Sequence, residues 1–162
     1  MIKLVSVGNQ FMKDDGIAIK VTEKLREKLI DKELDIIIAE TDYQNCFYLL
    51  NEGDFVIILD AMYTGTEPGN VCVFDFKDVI AQPFGFFMQH DMSIIELMKL
   101  YNCKFKSCIV GIEIADVGFG DELSPVLKEK FPQICSKVES AIKKLISEDE
   151  DHARYFSKSE SL

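Results

Sequence analysis

Histidine is scarce in this chain, occurring only at His90 and His152. Basic residues are outnumbered by acidic ones, 18 to 28, and the net charge of −10 excludes nucleic acid and anionic membrane as partners, because both repel an acidic surface. No apolar run approaches the ~18 residues that cross a bilayer, and Leu4–Val7 is too short for the core of a signal peptide. A cytoplasmic chain is therefore expected. The five cysteines, Cys46, Cys72, Cys103, Cys108 and Cys135, are odd in number and form no CxxC pair, which excludes a disulfide framework and a zinc ribbon. They read as buried reduced thiols. A Gly-x-Ser-x-Gly elbow is missing, as are GxGxxG spacing and a Walker lysine, so neither a serine hydrolase nor a phosphate-cradling loop is indicated.

What is present is a chain of 162 residues with 48% apolar content, enough for one domain that buries roughly 70% of its unfolded surface. Ile2–Val7 is a β-branched run that predicts a buried strand. Ile17, Val21, Leu25 and Leu29 repeat with helical spacing over Ile17–Ile30. Leu34–Ala39 predicts a second strand, Tyr43–Leu50 a short helix, and Phe55–Leu59 a third strand ending at Asp60. Only about ten residues lead to the extended stretch Asn70–Phe76, too few for a parallel crossover, so one antiparallel strand is expected. Asp78–Phe87 reads as irregular, His90–Tyr101 as a helix and Phe105–Ile112 as the last strand. Ser124 and Pro125 open a helix as cap and first residue. Pro132 is expected to interrupt it before a final amphipathic helix from Ile134. The polar tail Ser147–Leu162 is expected to fray. The whole predicts a three-layer α/β/α sandwich around a mostly parallel five-stranded sheet, with a domain over residues 1–146 and a tail over 147–162.

Sites in such sheets lie beyond the carboxyl ends of the strands. Asp14 and Asp15 follow the first strand and Asp60 directly follows the third. Two carboxylates converging there suit a divalent cation, and an imidazole would complete a mixed site for nickel, zinc or a similar metal. His90 opens a helix while His152 lies in the tail, so His90 is the candidate. Each residue also has a plainer reading. Asp14 or Asp15 would serve as caps of the following helix, Asp60 as a strand terminator and His90 as a surface residue.

Val7-Gly8-Asn9, then Asp14-Asp15-Gly16, then Leu59-Asp60-Ala61 with Pro68-Gly69 resemble the hydrogenase maturation peptidases. So do Gln89-His90-Asp91, Val110-Gly111-Ile112-Glu113 and the run Gly118–Val126. These blocks occur in order over roughly residues 1–146. The resemblance implies an endopeptidase that removes a C-terminal extension from the large-subunit precursor of a nickel–iron hydrogenase after nickel insertion. It matches Asp15, Asp60 and His90 to the family's metal-contacting positions and gives Asp14 a supporting role in the loop. The metal implied is nickel, the precursor's own, with zinc as another divalent candidate. A monomer that meets its precursor transiently is the family-like expectation. A non-catalytic nickel-binding accessory or docking protein would use the same ligands.

One stretch departs from the family. Many members carry a Gly-Gly-Thr-like motif after the second strand, associated with choosing the precursor, whereas this chain reads Glu40-Thr41-Asp42-Tyr43-Gln44-Asn45-Cys46-Phe47. The departure bears on which precursor is chosen, and Asp42–Phe47 and Ala81–Gln89 are expected to face it.

Overall fold

A computed structural model describes residues 1–30, 34–81, 94–101 and 106–159, with residues 151–159 described by backbone alone. His90, the start of the predicted His90–Tyr101 helix and most of Ala81–Gln89 lie outside the described residues.

Five β-branched runs form one sheet: β1 (Ile2–Val7), β2 (Leu34–Glu40), β3 (Phe55–Met62), β4 (Val71–Asp75) and β5 (Lys106–Glu113). Their order across the sheet is β2-β1-β3-β5-β4. All neighbouring pairs are parallel except β4 with β5, which is antiparallel, as the short connection after β3 predicts. The helices are α1 (Ile17–Leu29), α2 (Tyr43–Tyr48), α3 (Phe76–Ile80), α4 (Ile94–Leu100) and α5 (Pro125–Ser159).

Strand alternation divides the core into two layers. On one face Leu4, Ile57, Leu59, Val110 and Ile112 pack with α1 and α5 through Ile17, Val21, Leu25, Leu127, Ile134 and Val138. On the other face Val5, Val7, Ile58, Met62 and Ile109 pack with Cys46, Val79, Ile94 and Met98 of α2, α3 and α4. The result is the expected three-layer α/β/α sandwich around a mostly parallel sheet.

Four local expectations are corrected. Asp60 does not follow the third strand but lies inside it, because β3 continues to Met62 by pairing Ala61 with Ile112 and Met62 with Glu113. Phe76–Ile80 is a short helix rather than irregular chain, capped by the Asp75 carboxylate, which accepts from the Lys77 N–H. Pro132 does not end a helix: α5 runs through it. The proline removes one backbone donor and costs ~3 kcal/mol locally. Leu127 before it and Ile134, Cys135, Val138 and Ile142 after it are all buried in the same layer, and that burial outweighs the cost. Finally, α5 continues as helix to Ser159, past Ser147 where fraying was expected. Lys106 of β5 reaches Asp149 beyond that point, with the ions 2.6 Å apart.

Candidate active site at the carboxyl end of the sheet

The chain leaves β1 toward β2 on one side while β3 and β5 lie on the other, so the strand order reverses between β1 and β3. The crevice beyond their carboxyl ends is where open α/β sheets bind ligands. Asp15 and Asp60 stand on its two sides.

The loop from β1 is built around a tight reversal. Gly8 has φ +141°, a conformation that side-chain-bearing residues rarely adopt, and the Asp15 carbonyl oxygen occupies the space where a Cβ would go. The Asn9 carboxamide oxygen accepts from the Phe11 N–H at 2.9 Å, and the Met12 and Asp15 N–H groups close successive turns onto Asn9 and Met12. A single 3-10 turn, Lys13–Gly16, then delivers both acids. Neither acid is the N-cap of α1; that position is Gly16, which has no side chain to cap with.

Asp14 instead faces the β5–α5 loop. Fully buried, its carboxylate accepts from the N–H groups of Ala115 at 3.1 Å, Asp116 at 2.9 Å and Ser124 at 2.6 Å. Three backbone donors satisfy the charge, and Asp14 is thereby the supporting acid that the resemblance implied. The same contact changes the start of α5. Pro125 is the first helical residue as expected, but the buried Ser124 hydroxyl makes no hydrogen bond among the described residues. Its N–H, held by Asp14, fixes the entry to α5.

Asp15 and Asp60 are buried carboxylates, 1% and 4% exposed. The Asn9 N–H donates to Asp15 Oδ2 at 2.9 Å, and the Ala61 N–H donates to Asp60 Oδ1 at 2.8 Å. Alternation along β3 sets Asp60 on the face of Ile58 and Met62, the side covered by α2 and α4.

Tyr43, the first residue of α2, lies within electrostatic reach of both acids. Burial first, then the charge of Asp60 and then that of Asp15 push its phenol up to about 12. Its ring packs against the layer that holds Ile58 and Met62. Thr41, Asp42, Tyr43, Gln44 and Leu97 line an adjoining cleft of about 240 Å³. Glu40, just before it, takes φ +47°, an uncommon conformation for a residue with a side chain, and accepts from the Gln10 carboxamide at 2.9 Å. The end of β2 and the turn after β1 thus each carry a strained residue, Glu40 in the first and Lys13 at φ +44° in the second.

A further buried carboxylate, Glu113, ends β5. It accepts from the Thr64 N–H at 3.0 Å, the Thr64 hydroxyl at 2.7 Å and the Gly65 N–H at 2.9 Å, and so fixes the loop after β3. In the sequence Glu113 stands only as the last residue of the block Val110–Glu113, and Tyr43 has no role within the site. A lone acid closing a run of apolar residues was the available signal for Glu113. Tyr43 carried no local signal, since an aromatic residue opening a short helix is ordinary.

The described donor set fits a hard divalent cation in part. Two buried carboxylates lie at this end of the sheet, but among the described residues no group of three His, Cys, Asp or Glu side chains is arranged to hold a metal. The third expected ligand, His90, lies outside the described residues. Cys46 and Cys108 are poor nucleophiles: burial first, then nearby carboxylates raise Cys46 to about 11 and Cys108 to about 12.

No curated protein sequence matches the chain. Among solved structures it is similar to the [NiFe] hydrogenase maturation protease HybD from Thermococcus kodakarensis, with a TM-score of 0.65 and 24% identity over 86% of this chain and 97% of the other. It is also similar to the hydrogenase maturating endopeptidase HybD from E. coli, at TM-score 0.69 and 16% identity over 88% and 92%. A third likeness is to the endopeptidase HycI from Escherichia coli, at TM-score 0.65 and 24% identity over 86% and 90%. At such identities these likenesses establish the fold. The family model described as "HycI: Hydrogenase maturation protease" matches residues 19–141, which takes in most of α1, the strand carrying Asp60 and the first half of α5. With most of its length inside that match, this chain belongs to the hydrogenase maturation protease family.

Proposed function

We propose that this maturation protease removes a C-terminal extension from the large-subunit precursor of a nickel–iron hydrogenase, after nickel has been inserted, with Asp15, Asp60 and His90 around the reacting bond. What supports this reading is the family match together with two buried carboxylates, Asp15 in the loop after β1 and Asp60 in β3, both near enough to act on the Tyr43 phenol. The nickel is the precursor's own cargo and reaches the crevice with the substrate; Asp15, Asp60 and His90 are the residues that would contact it. Zinc or another divalent ion would suit the same donors.

The chain's own groups can move the protons that hydrolysis requires. One carboxylate takes a proton from the attacking water as its oxygen bonds to the carbonyl carbon. That proton then passes to the amine nitrogen as the carbon–nitrogen bond breaks. We assign the chain to the cytoplasm, as a monomer that meets its precursor transiently. No helix among the described residues is long and apolar enough to cross a membrane, which is compatible with that assignment.

The test is an intact-mass assay on a nickel-loaded large-subunit precursor, mixed with the wild-type chain or with the Asp60→Asn variant. Loss of a C-terminal peptide with wild type alone is expected. Equal cleavage by Asp60→Asn would remove Asp60 from the site. Tight binding without cleavage by wild type would overturn the proteolytic step in favour of docking.

A further inference from the structure

We propose that Phe11 and Phe119 form an apolar docking patch beside the acid-bearing turn, and that its occupant is an apolar segment of the precursor close to the bond being cut. The inference rests on the reading given above, in which the precursor is the substrate and Asp15 belongs to the site.

Phenylalanine is ordinarily buried, and a chain of this size has core enough to bury it. Yet Phe11 is 74% exposed and Phe119 89%, with Val117, two residues earlier, at 42%. Backbone pairing brings the two rings to one place. A parallel bridge joins Met12 to Gly120, with the Gly120 N–H donating to the Phe11 carbonyl at 2.9 Å and the Lys13 N–H to the Gly120 carbonyl at 2.7 Å. Phe11 and Phe119 each directly precede a bridge partner, so their side chains rise from adjoining backbone. Phe119 stands between Gly118 and Gly120, and neither neighbour has a side chain to shield it. The Lys13–Asp116 ion pair and the exposed Asp121 and Glu122 supply a polar rim. Scattered exposed apolar residues are ordinary, but adjoining ones inside a polar rim mark a surface that meets another molecule.

Position and charge select the occupant. Asn9 ties the patch to the acid: its carboxamide oxygen accepts from the Phe11 N–H and its own N–H donates to Asp15 Oδ2, both at 2.9 Å. A substrate chain seated at Asp15 needs only a few residues of extended length to reach Phe11. A second copy of this protein would instead bring net charge −10 against −10, which disfavours that pairing. The patch is also fixed before anything binds. Besides the bridge, the Asp116 carboxylate holds the Lys13 ammonium and accepts from the Gly118 N–H at 2.9 Å. Aromatic anchors on braced backbone lose little freedom on binding, so more of their burial appears as affinity.

The experiment compares three chains: unaltered, Phe11→Ala with Phe119→Ala, and Phe11→Leu with Phe119→Leu. Each is titrated calorimetrically with the nickel-loaded precursor in an Asp60→Asn background, where cleavage is not expected to intervene, and each is assayed for KM and kcat by intact mass with Asp60 restored. Both rings are exposed, so melting temperatures are expected to match. The alanine pair is expected to raise Kd and KM at least about tenfold, the size of one aromatic anchor, with kcat little changed. The leucine pair is expected to recover most of that loss. Unchanged Kd and KM in the alanine pair, or equal losses in the alanine and leucine pairs, would overturn the proposal. So would a wild-type dimer that the alanine pair dissociates without weakening precursor binding, which would assign the patch to a second copy. Weaker precursor binding by the alanine pair with no cleavage by wild type would uphold the patch and overturn the proteolytic reading instead.

Discussion

Gly8 and Asp15 meet back to back: a Cβ on residue 8 would stand 2.1 Å from the Asp15 carbonyl oxygen. The backbone of the acid-bearing turn is therefore seated against the one residue type that leaves room for it. Gly8→Ala must both displace that carbonyl and hold an alanine at φ +141°. A loss of at least about 2 kcal/mol in unfolding free energy is expected, with precursor cleavage falling further than stability alone explains. Urea titration and the cleavage assay on the folded fraction measure the two effects.

Asp14→Asn replaces an acceptor of three N–H groups by an amide with a single acceptor oxygen. Its NH2 would face donors that have no other use for it. The expected cost is about 2 to 4 kcal/mol, because buried donors are left unpaired. It is read as a lower urea midpoint at unchanged slope. An unchanged midpoint would show that the three contacts do not hold the loop.

Pro132→Ala should raise stability. Residue 132 is exposed, so little packing is lost, and the Lys128 carbonyl regains a helical donor. A gain of about 1 to 2 kcal/mol is expected after allowing for the greater freedom of alanine in the unfolded chain. Thermal melting decides it.

Stability should decline in alkali. Cys46, Cys108 and Tyr43 have folded pKa values raised to about 11, about 12 and about 12, above unfolded values of ~8.5 for thiols and ~10 for phenol. Groups shifted upward stabilise the fold fully below the unfolded pKa and lose that contribution as pH rises toward the folded one. Urea midpoints should therefore fall progressively above about pH 9. Iodoacetamide at pH 8 should leave Cys46 and Cys108 unmodified in the folded chain. A flat midpoint between pH 8 and 10.5, or rapid labelling, would contradict this burial.

Much of the fold was legible because its strands are β-branched runs and its helices repeat apolar residues at helical spacing. The antiparallel strand followed from the length of one connection. The misread places are those where distant packing overrides a local rule. Asp60 looks like a strand terminator until Ala61 and Met62 find partners in β5, and Pro132 looks like a break until residues on both sides share one buried layer. Asp15 and Asp60 stood out in the sequence as acids after apolar runs, and both are buried at this end of the sheet. The role of Asp14 was not visible locally, because its three donors lie more than 100 residues downstream. Tyr43 joined the site only through the folding of β2 and α2 beside β3.

That separation has a consequence for how the protein comes into being. The turn that presents Asp15 is tied to a segment more than 100 residues downstream: Lys13 and Phe11 exchange backbone hydrogen bonds with Gly120, at 2.7 and 2.9 Å, and Asp14 closes on Ser124. Contacts so remote in sequence form late, since a long loop must first be closed. A nascent chain that has not yet emerged past Ser124 lacks the partners that set its acidic turn, whatever its first strands have done. The geometry of the acidic turn is thus set only once the segment up to Ser124 is available to fold onto it.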